Sequence, residues 1–457
     1  MPNTLQRWRQ EALILGRLSV PLLIGQLAQT GMGATDTIMA GRYSAEDLAA
    51  VAVGQSLWLP ILIFFVGLFS ATTTLVAHSN GAGNHSIIKQ ITQQSLWIAL
   101  FTAPFAAAAL LYSEHIAIAM GVDLSVATIM DNYMTYLAFG IPAAAIFFAM
   151  RGAIEGSGQT RPIMLLSLGC FLANIPLNYL LIFGKLGLPA LGGAGCGIAT
   201  STVLWIQVIG VILICQRHHK IKPLCLFSHW QKPLVAPIKQ LLNLGIPIAL
   251  TMVAEISLFS VVALLIAPLG TNVIAGHQIA LSVSAITFMF PLSNGIAITI
   301  QTGHCLGAKQ YQRAKLVSLV GIGIGLMLAF INMAFIYFGR EAIAGFYTVD
   351  DAVLAVATGL LVYTAIYQIP DTLQISATHA LRGYRDTKMP LAIVLFSYWV
   401  ISVPIGWCLT MGKFEGFEPL GAAGMWIGLV IGLSVAACLQ SWRFIIICRR
   451  QLAIAHG

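Results

Sequence analysis

Apolar residues run in long stretches along this chain, broken by short turns that carry Gly, Pro or charge. Twelve stretches can be marked, centred near Gln26, Phe64, Phe101, Leu137, Phe171, Trp205, Thr251, Ala285, Met327, Ile366, Ile401 and Ser434. A helix crosses the hydrocarbon core of a bilayer with about 20 mostly apolar residues. Twelve such helices and their connections use up the 457 residues and leave no room for a separate soluble domain. The pattern predicts an all-α integral membrane protein.

Composition supports this solvent. Hydrophobic residues make up 58% of the chain and charged residues 9%, against about 25% charged in soluble domains. Arg7 and Arg9 precede the first apolar run, as they would in a signal peptide. That run is long, contains Gln26 and Gln29, and ends in Asp36 with no small-residue cleavage site, so a retained first helix is expected. The eight cysteines are scattered, without a C-x-x-C, which suggests neither a disulfide framework nor a zinc site. No H-E-x-x-H and no phosphate-binding G-x-x-x-x-G-K-[ST] occurs. An enzyme is not predicted, and no cofactor is expected.

The charges sort by side. With the N-terminus placed in the cytoplasm, only Arg42, Lys185, Arg340 and Lys413 of the 24 basic residues fall on the outer side. The rest, Arg151 and Arg382 among them, count to the inner loops and ends. The positive-inside rule then puts both termini in the cytoplasm. The same asymmetry accounts for the net charge of +8 without a nucleic-acid partner. Three acids stay within apolar runs: Asp36, Glu255 and Asp371.

The two halves echo each other at a spacing of about 226 to 229 residues. Leu18-Ser19-Val20-Pro21 is matched by Leu244-Gly245-Ile246-Pro247, Gly140-Ile141-Pro142 by Gln368-Ile369-Pro370, and Gly184-Lys185 by Gly412-Lys413. The stretch from Gly156 to Pro162 is matched by Gly383 to Pro390 with one insertion, and Leu191 to Gly195 by Leu420 to Gly424. Six crossings per half is an even number, so both halves insert the same way. That is a parallel repeat with a pseudo-two-fold axis, as in several secondary transporters, with two lobes around a cleft. The expected division is an N-terminal six-helix lobe over 1–216, a cytoplasmic linker over 217–239 and a C-terminal six-helix lobe over 240–457.

A carboxylate at the centre of a bilayer helix costs about 2.5–3.5 kcal/mol on insertion scales. Such groups usually face a cavity and bind or relay cations, although each could also lock a helix to a polar neighbour. By register Glu255 corresponds to Gln29 and Asp371 to Ala143, so the acids are not part of the shared scaffold. Gln29, Gly33 and Asp36 share a helix face, as do Tyr367 and Asp371, with Pro370 between them. A proline there frees carbonyls that can bind cations in a cavity. Asn174 and Asn178 flank Pro176 at i, i+4, a spacing that equally suits interhelical hydrogen bonds. Phe259, four residues after Glu255, and Phe288 on the next helix suit an organic cation, or simply pack. Counting 1.5 Å per residue from a helix start near Leu354 puts Asp371 roughly 25 Å along. A kink at Pro370 or an earlier start would be needed to level the three acids.

At these residues the chain resembles the multidrug and toxic compound extrusion family, of the NorM type. The likeness is carried by Gln29 to Gly41, Asn174-Ile175-Pro176-Leu177-Asn178-Tyr179, Leu191 to Gly197, Ala275-Gly276-His277-Gln278 and Leu381-Arg382-Gly383-Tyr384. The resemblance implies an antiporter that exports organic cation drugs in exchange for inward Na⁺ or H⁺ by alternating access. It implies that Glu255 and Asp371, with Tyr367, hold the coupling cation, Na⁺ included. It implies that Asp36, Asn174, Asn178 and Thr200, joined by Gln29, form a polar cluster in the first lobe. Phe259 and Phe288 then border the substrate. The expected setting is a bacterial inner membrane, with lipid around a monomer. Ala34-Thr35 and His304-Cys305 depart from the family's usual residues, which bears on substrate range and not on the acids. The rival within the same broad fold group is a lipid-linked oligosaccharide flippase. It would want buried basic residues for a pyrophosphate, whereas the charges inside the apolar runs are all acidic. An intramembrane enzyme lacks a paired nucleophile and base here, and a passive channel lacks a pore loop.

Overall fold

Apolar runs of this length form helices longer than the bilayer requires. The computed structural model describes residues 4–456 except 114, 116, 117, 119–122, 225 and 414–417. Among them there is no strand. The helices are α1 (Thr4–Tyr43), α2 (Ala45–Gly81), α3 (His85–Leu111), α4 (Leu124–Ala138), α5 (Ile141–Gly156), α6 (Arg161–Phe183), α7 (Gly193–Arg217), α8 (Val235–Ile266), α9 (Thr271–Gly307), α10 (Tyr311–Tyr347), α11 (Asp351–Gly383), α12 (Lys388–Met411) and α13 (Ala422–His456). Eleven are long and apolar enough to span a membrane, and α4 with α5, bent by 47° at their junction, makes the twelfth. The chain is a multi-pass membrane protein of the expected twelve-helix class.

Polar residues punctuate the ends. Ser44 caps α2 by accepting from the Asp47 amide at 2.9 Å. Asp350 caps α11 by accepting from the amides of Ala352 and Val353. At 33 residues, α11 is about 50 Å long, and it runs unbroken through Pro370. Asp371 therefore sits well inside a helix that overhangs the bilayer at its ends, so counting depth from a helix start misjudges the level.

The halves repeat in backbone detail. The Lys185 amide reaches Leu180 O at 3.2 Å and the Lys413 amide reaches Cys408 O at 3.0 Å, each closing a helix through a left-handed glycine, Gly184 and Gly412. The Asn84 amide bonds Ser79 O at 2.9 Å and the Gln310 amide bonds Cys305 O at 2.8 Å in a second matched pair of turns. The repeat fails between α4 and α5. Gly140 and Pro142 break the N-terminal half between α4 and α5, while their counterparts Gln368 and Pro370 lie inside continuous α11. Gly140 is a poor helix former. Gln368 is a good one and is held by its bond to Thr287 at 3.0 Å.

By packing, the described chain forms two compact units, Ile24–Ala249 and Met1–Leu23 with Leu250–Gly457. In the first, α2, α3, α4 and α5 enclose a core that includes Phe65, Phe69, Tyr133, Met134, Phe147 and Ile154. Residues 226–234 of the connection lie on α3. Gln93 Nε2 donates to the carbonyls of Leu226 and Ser228, Gln94 Nε2 to that of Lys232, and the Trp97 indole to that of Gln231. In the second unit, Trp426, Tyr367, Tyr398 and Leu429 centre one cluster. There Gly424, Gly428 and Gly432 on α13 let its backbone approach α12 at Thr410, Gly406 and Ser402. Opposite them α12 carries a π-helical turn, Phe396–Ser402, just before Pro404.

Candidate functional site

In the first unit, α1, α6 and α7 bring four of the expected residues together. Asp36 is 4% exposed. Its Oδ1 accepts from Asn178 Nδ2 at 2.6 Å and Asn174 Nδ2 at 3.4 Å, and its Oδ2 accepts from the Thr200 hydroxyl at 2.8 Å. Asn178 Nδ2 also donates to Asn174 Oδ1 at 3.0 Å, across the turn that holds Pro176. Asn178 Oδ1 is buried without a hydrogen-bond partner among the described residues. A cavity of about 520 Å³ opens beside this cluster, lined by Gln29, Gly33, Asp36, Asn174 and Thr200, with Gln55, Trp58, Leu62 and Tyr133 as further walls. Gln29 lies in the cavity wall but is held by Arg151, whose Nη1 donates to Gln29 Oε1 at 3.2 Å.

In the second unit, Glu255 on α8 and Asp371 on α11 interact electrostatically, and the Tyr367 hydroxyl contacts both Asp371 and Ser284. Gln374 Nε2 donates to Glu255 Oε1 at 3.0 Å. Asp371 Oδ2, Thr372 Oγ1, Gln374 Oε1 and Ser376 Oγ are buried without a hydrogen-bond partner among the described residues. A buried oxygen left unpaired costs roughly 1–3 kcal/mol. Those of Asp371 and Gln374 share the helix face toward Glu255 and together suit a ligand, whereas Thr372 and Ser376 turn toward Gly325 on α10. Oxygen donors of this kind suit a hard cation. Phe259 packs its ring edge-on to Tyr367, with centroids 6.5 Å apart. Phe288 on α9 is half-buried and joins none of these ring contacts among the described residues. Trp426 stacks edge-on to Tyr367 and donates to His277 Nδ1 at 3.2 Å.

Two basic residues correct the sequence reading. Arg151 and Arg382, counted as loop charges, are helical and buried at 7% and 5% exposure. Arg151 pairs with Glu155 at 2.6 Å. Arg382 Nη1 lies 3.4 Å from His379 Nε2 and interacts electrostatically with Glu255. The buried charges are therefore not all acidic. The helices continue past the apolar runs, and residues just beyond a run still pack inside the bundle. Gln374 was legible in principle, three residues after Asp371 on the same face. Gln55, Tyr133 and the His277–Trp426 contact join distant segments and leave no local signal.

The MatE family model matches residues 21–180 and again 247–408. The chain belongs to the MatE family. Its members are transporters and not enzymes. The double match falls on the two halves of the repeat. Multidrug resistance protein PmpM of Pseudomonas aeruginosa is 42% identical over 97% of this chain and 93% of its own. Multidrug resistance protein NorM of Vibrio cholerae is 40% identical over 96% of each chain. Among solved structures, the eukaryotic MATE transporter AtDTX14 superposes with a TM-score of 0.87 at 18% identity, over 98% of this chain and 100% of that one. The bent form of the Vibrio cholerae MATE transporter VcmN gives the same TM-score and identity, over 98% of this chain and 99% of that one. These likenesses fix the fold of this MatE transporter.

Proposed function

We propose that this MatE transporter is a secondary antiporter that exports organic cations, drugs among them, in exchange for inward Na⁺ or H⁺. The observation that carries the reading is Asp371. Its Oδ2 is buried and, among the described residues, unpaired on a membrane helix, beside Glu255 and Gln374. Such a site is stabilised by a bound cation or proton and disfavours staying empty. The relatives named multidrug resistance proteins support the export of drugs.

In this reading Na⁺ is held by Glu255 and Asp371, with the Tyr367 hydroxyl beside them. Asp36, with Asn174, Asn178 and Thr200, offers a second anionic site at the cavity bordered by Gln29. Phe259 gives an organic cation a ring near the acids, and Phe288 contributes apolar wall. Occupancy by the coupling ion neutralises the carboxylates, and the organic cation loses its counter-charge and leaves. The ion can drive the cycle only through a difference in its affinity for the two access states. The protein works as a monomer in a bacterial inner membrane with both termini in the cytoplasm.

Ethidium efflux from vesicles, driven first by a Na⁺ gradient and then by a pH gradient, tests the reading. Asp371→Asn should abolish the driven efflux while the protein still inserts. Undiminished efflux in that variant would sink the assignment. The buried Arg382 favours a second reading, a flippase for lipid-linked oligosaccharides, since a guanidinium suits a pyrophosphate. Translocation of such a lipid by vesicles that show no ethidium efflux would establish it.

A further inference from the structure

Where α1 begins, α10 begins and α13 ends, the second unit holds a cavity of about 740 Å³ that the transport reading does not use. Its polar lining includes Arg7, Lys309, Arg313, Gln310 and Glu11, and Leu316 and Leu452 are its apolar walls. Three cationic side chains face one carboxylate. Glu11 is committed: it accepts from Arg313 Nε at 2.7 Å and from Gln301 Nε2 at 3.5 Å. Arg313 Nη1 donates to Gln310 Oε1 at 3.1 Å, which leaves Nη2 for a ligand. The cavity thus keeps an excess of positive charge with donors to spare.

Comparison with the matched turn in the other half sharpens this. Gly83 and Lys309 hold the same place, each left-handed, at φ +70° and +59°. Asn84 caps α3 by accepting from the Ile87 amide, whereas Gln310 gives α10 no side-chain cap and instead holds Arg313. At this end of the molecule a glycine is replaced by a lysine in a conformation that side chains rarely adopt. The first-turn amides of a 37-residue helix border the cavity uncapped.

The apolar side continues outward. From Leu316, α10 presents Leu319 and then Met327, Ile331 and Phe335 at helical spacing, the last three more than half exposed. Gly323, in the same row, meets nothing within 4 Å. The row suits acyl chains, and basic pockets between the ends of membrane helices suit anionic headgroups. Trp8, 41% exposed beside Arg7, fits the same interfacial depth.

We propose that this cavity binds the phosphodiester headgroup of an anionic phospholipid, with its acyl chains along the exposed row of α10. Arg7 and Lys309 supply charge, Arg313 supplies a guanidinium fixed by Glu11, and the first turn of α10 supplies amides.

Native mass spectrometry of the purified full chain tests the proposal, with phosphatidylglycerol and phosphatidylcholine of identical acyl chains as probes. Phosphatidylglycerol should bind about tenfold more tightly or better. The double variant Arg7→Gln, Lys309→Gly should lose about thirtyfold for phosphatidylglycerol and much less for phosphatidylcholine, whose choline offsets the charge of its phosphodiester. Lys309→Gly installs the residue of the matched turn and suits its backbone. Should the double variant fail to fold, Arg7→Gln alone, at an exposed position, should lose about fivefold. Equal binding of the two lipids would overturn the proposal, as would unchanged phosphatidylglycerol binding in the variants. Displacement of the lipid by inorganic phosphate at matched concentration would also overturn it, since the cavity would then serve soluble anions.

Discussion

Arg151 donates from Nε to Glu155 Oε1 at 2.6 Å, one turn along the same buried helix. The remaining guanidinium nitrogens donate to Gln29 at 3.2 Å and Gln26 at 3.3 Å on α1. One arginine thus ties α5 to the stretch of α1 that carries Asp36. The repeat places Thr378 and Arg382 at the matching positions of the other half, so this pair is particular to the first unit. Removing one partner of a buried pair costs about 3–5 kcal/mol, because the other charge is left unpaired. Arg151→Met should therefore lower the unfolding temperature sharply in detergent. The double variant Arg151→Met, Glu155→Leu should recover most of the loss. If the double variant is as unstable as the single one, the pair is not what holds the site.

The twelve spans, the internal repeat and the three membrane acids were legible because each is a local pattern: bulk hydrophobicity, short matched motifs, and rare charges in apolar runs. The clustering of Asn174 and Asn178 on one face follows from helical spacing alone. What joins them to Asp36 does not, since residues well over a hundred positions apart must meet. The buried Arg151 and Arg382 were misread because a charge that ends an apolar run looks like a loop residue. Only the packed bundle shows that the helix carries on. The break at Gly140 against the continuity at Gln368 was also hidden, because both precede a proline by two and differ only in helix propensity.

Gly192 has φ +55°, and a Cβ added there would run into the Asp47 carboxylate, which accepts from the Gly193 amide. Asp47 is buried on the first turn of α2 and anchors the start of α7. Gly192→Ala should destabilise the protein by about 1–3 kcal/mol. Gly187 also has positive φ, at +83°, but opens onto free space. Gly187→Ala should thus cost less, and the gap in melting temperature between the two variants reads the clash with Asp47. Equal shifts would mean that backbone conformation alone sets the cost.

Gln93 and Gln94 act as a clasp on residues 226–234. Their side-chain oxygens accept from the amides of Gln231 at 3.0 Å and Leu234 at 2.8 Å, and their nitrogens donate to three carbonyls. Truncating either leaves backbone groups of the segment unpaired, at roughly 1–3 kcal/mol. Chymotrypsin should cut after Phe227 and Trp230 faster in Gln93→Ala, Gln94→Ala than in the parent. Unchanged digestion would show that the Trp97–Trp230 contact, with centroids 5.9 Å apart, holds the segment alone.

Asp36 accepts three side-chain hydrogen bonds, and its role can be separated from that of its neighbours by changing charge and donors independently. Asp36→Asn keeps the shape but removes the charge: its oxygen can still accept from Asn178, and its Nδ2 can face Thr200, whose hydroxyl turns to accept. A structural cluster would respond with a loss of stability of about 1–3 kcal/mol and a matching loss from Thr200→Val. A cation site would respond differently. Thr200→Val would lower efflux only in part, because the carboxylate remains, whereas Asp36→Asn would abolish it even in protein that folds and inserts normally. Ethidium efflux, normalised to the amount of folded protein in the membrane, separates the two. We expect Asp36→Asn to fall by at least a further order of magnitude below Thr200→Val, since a charge-assisted bond is about twice as strong as a neutral one and only the carboxylate can balance a cation. Parallel losses in efflux and stability for both variants would assign the cluster to holding α1 against α6 and α7.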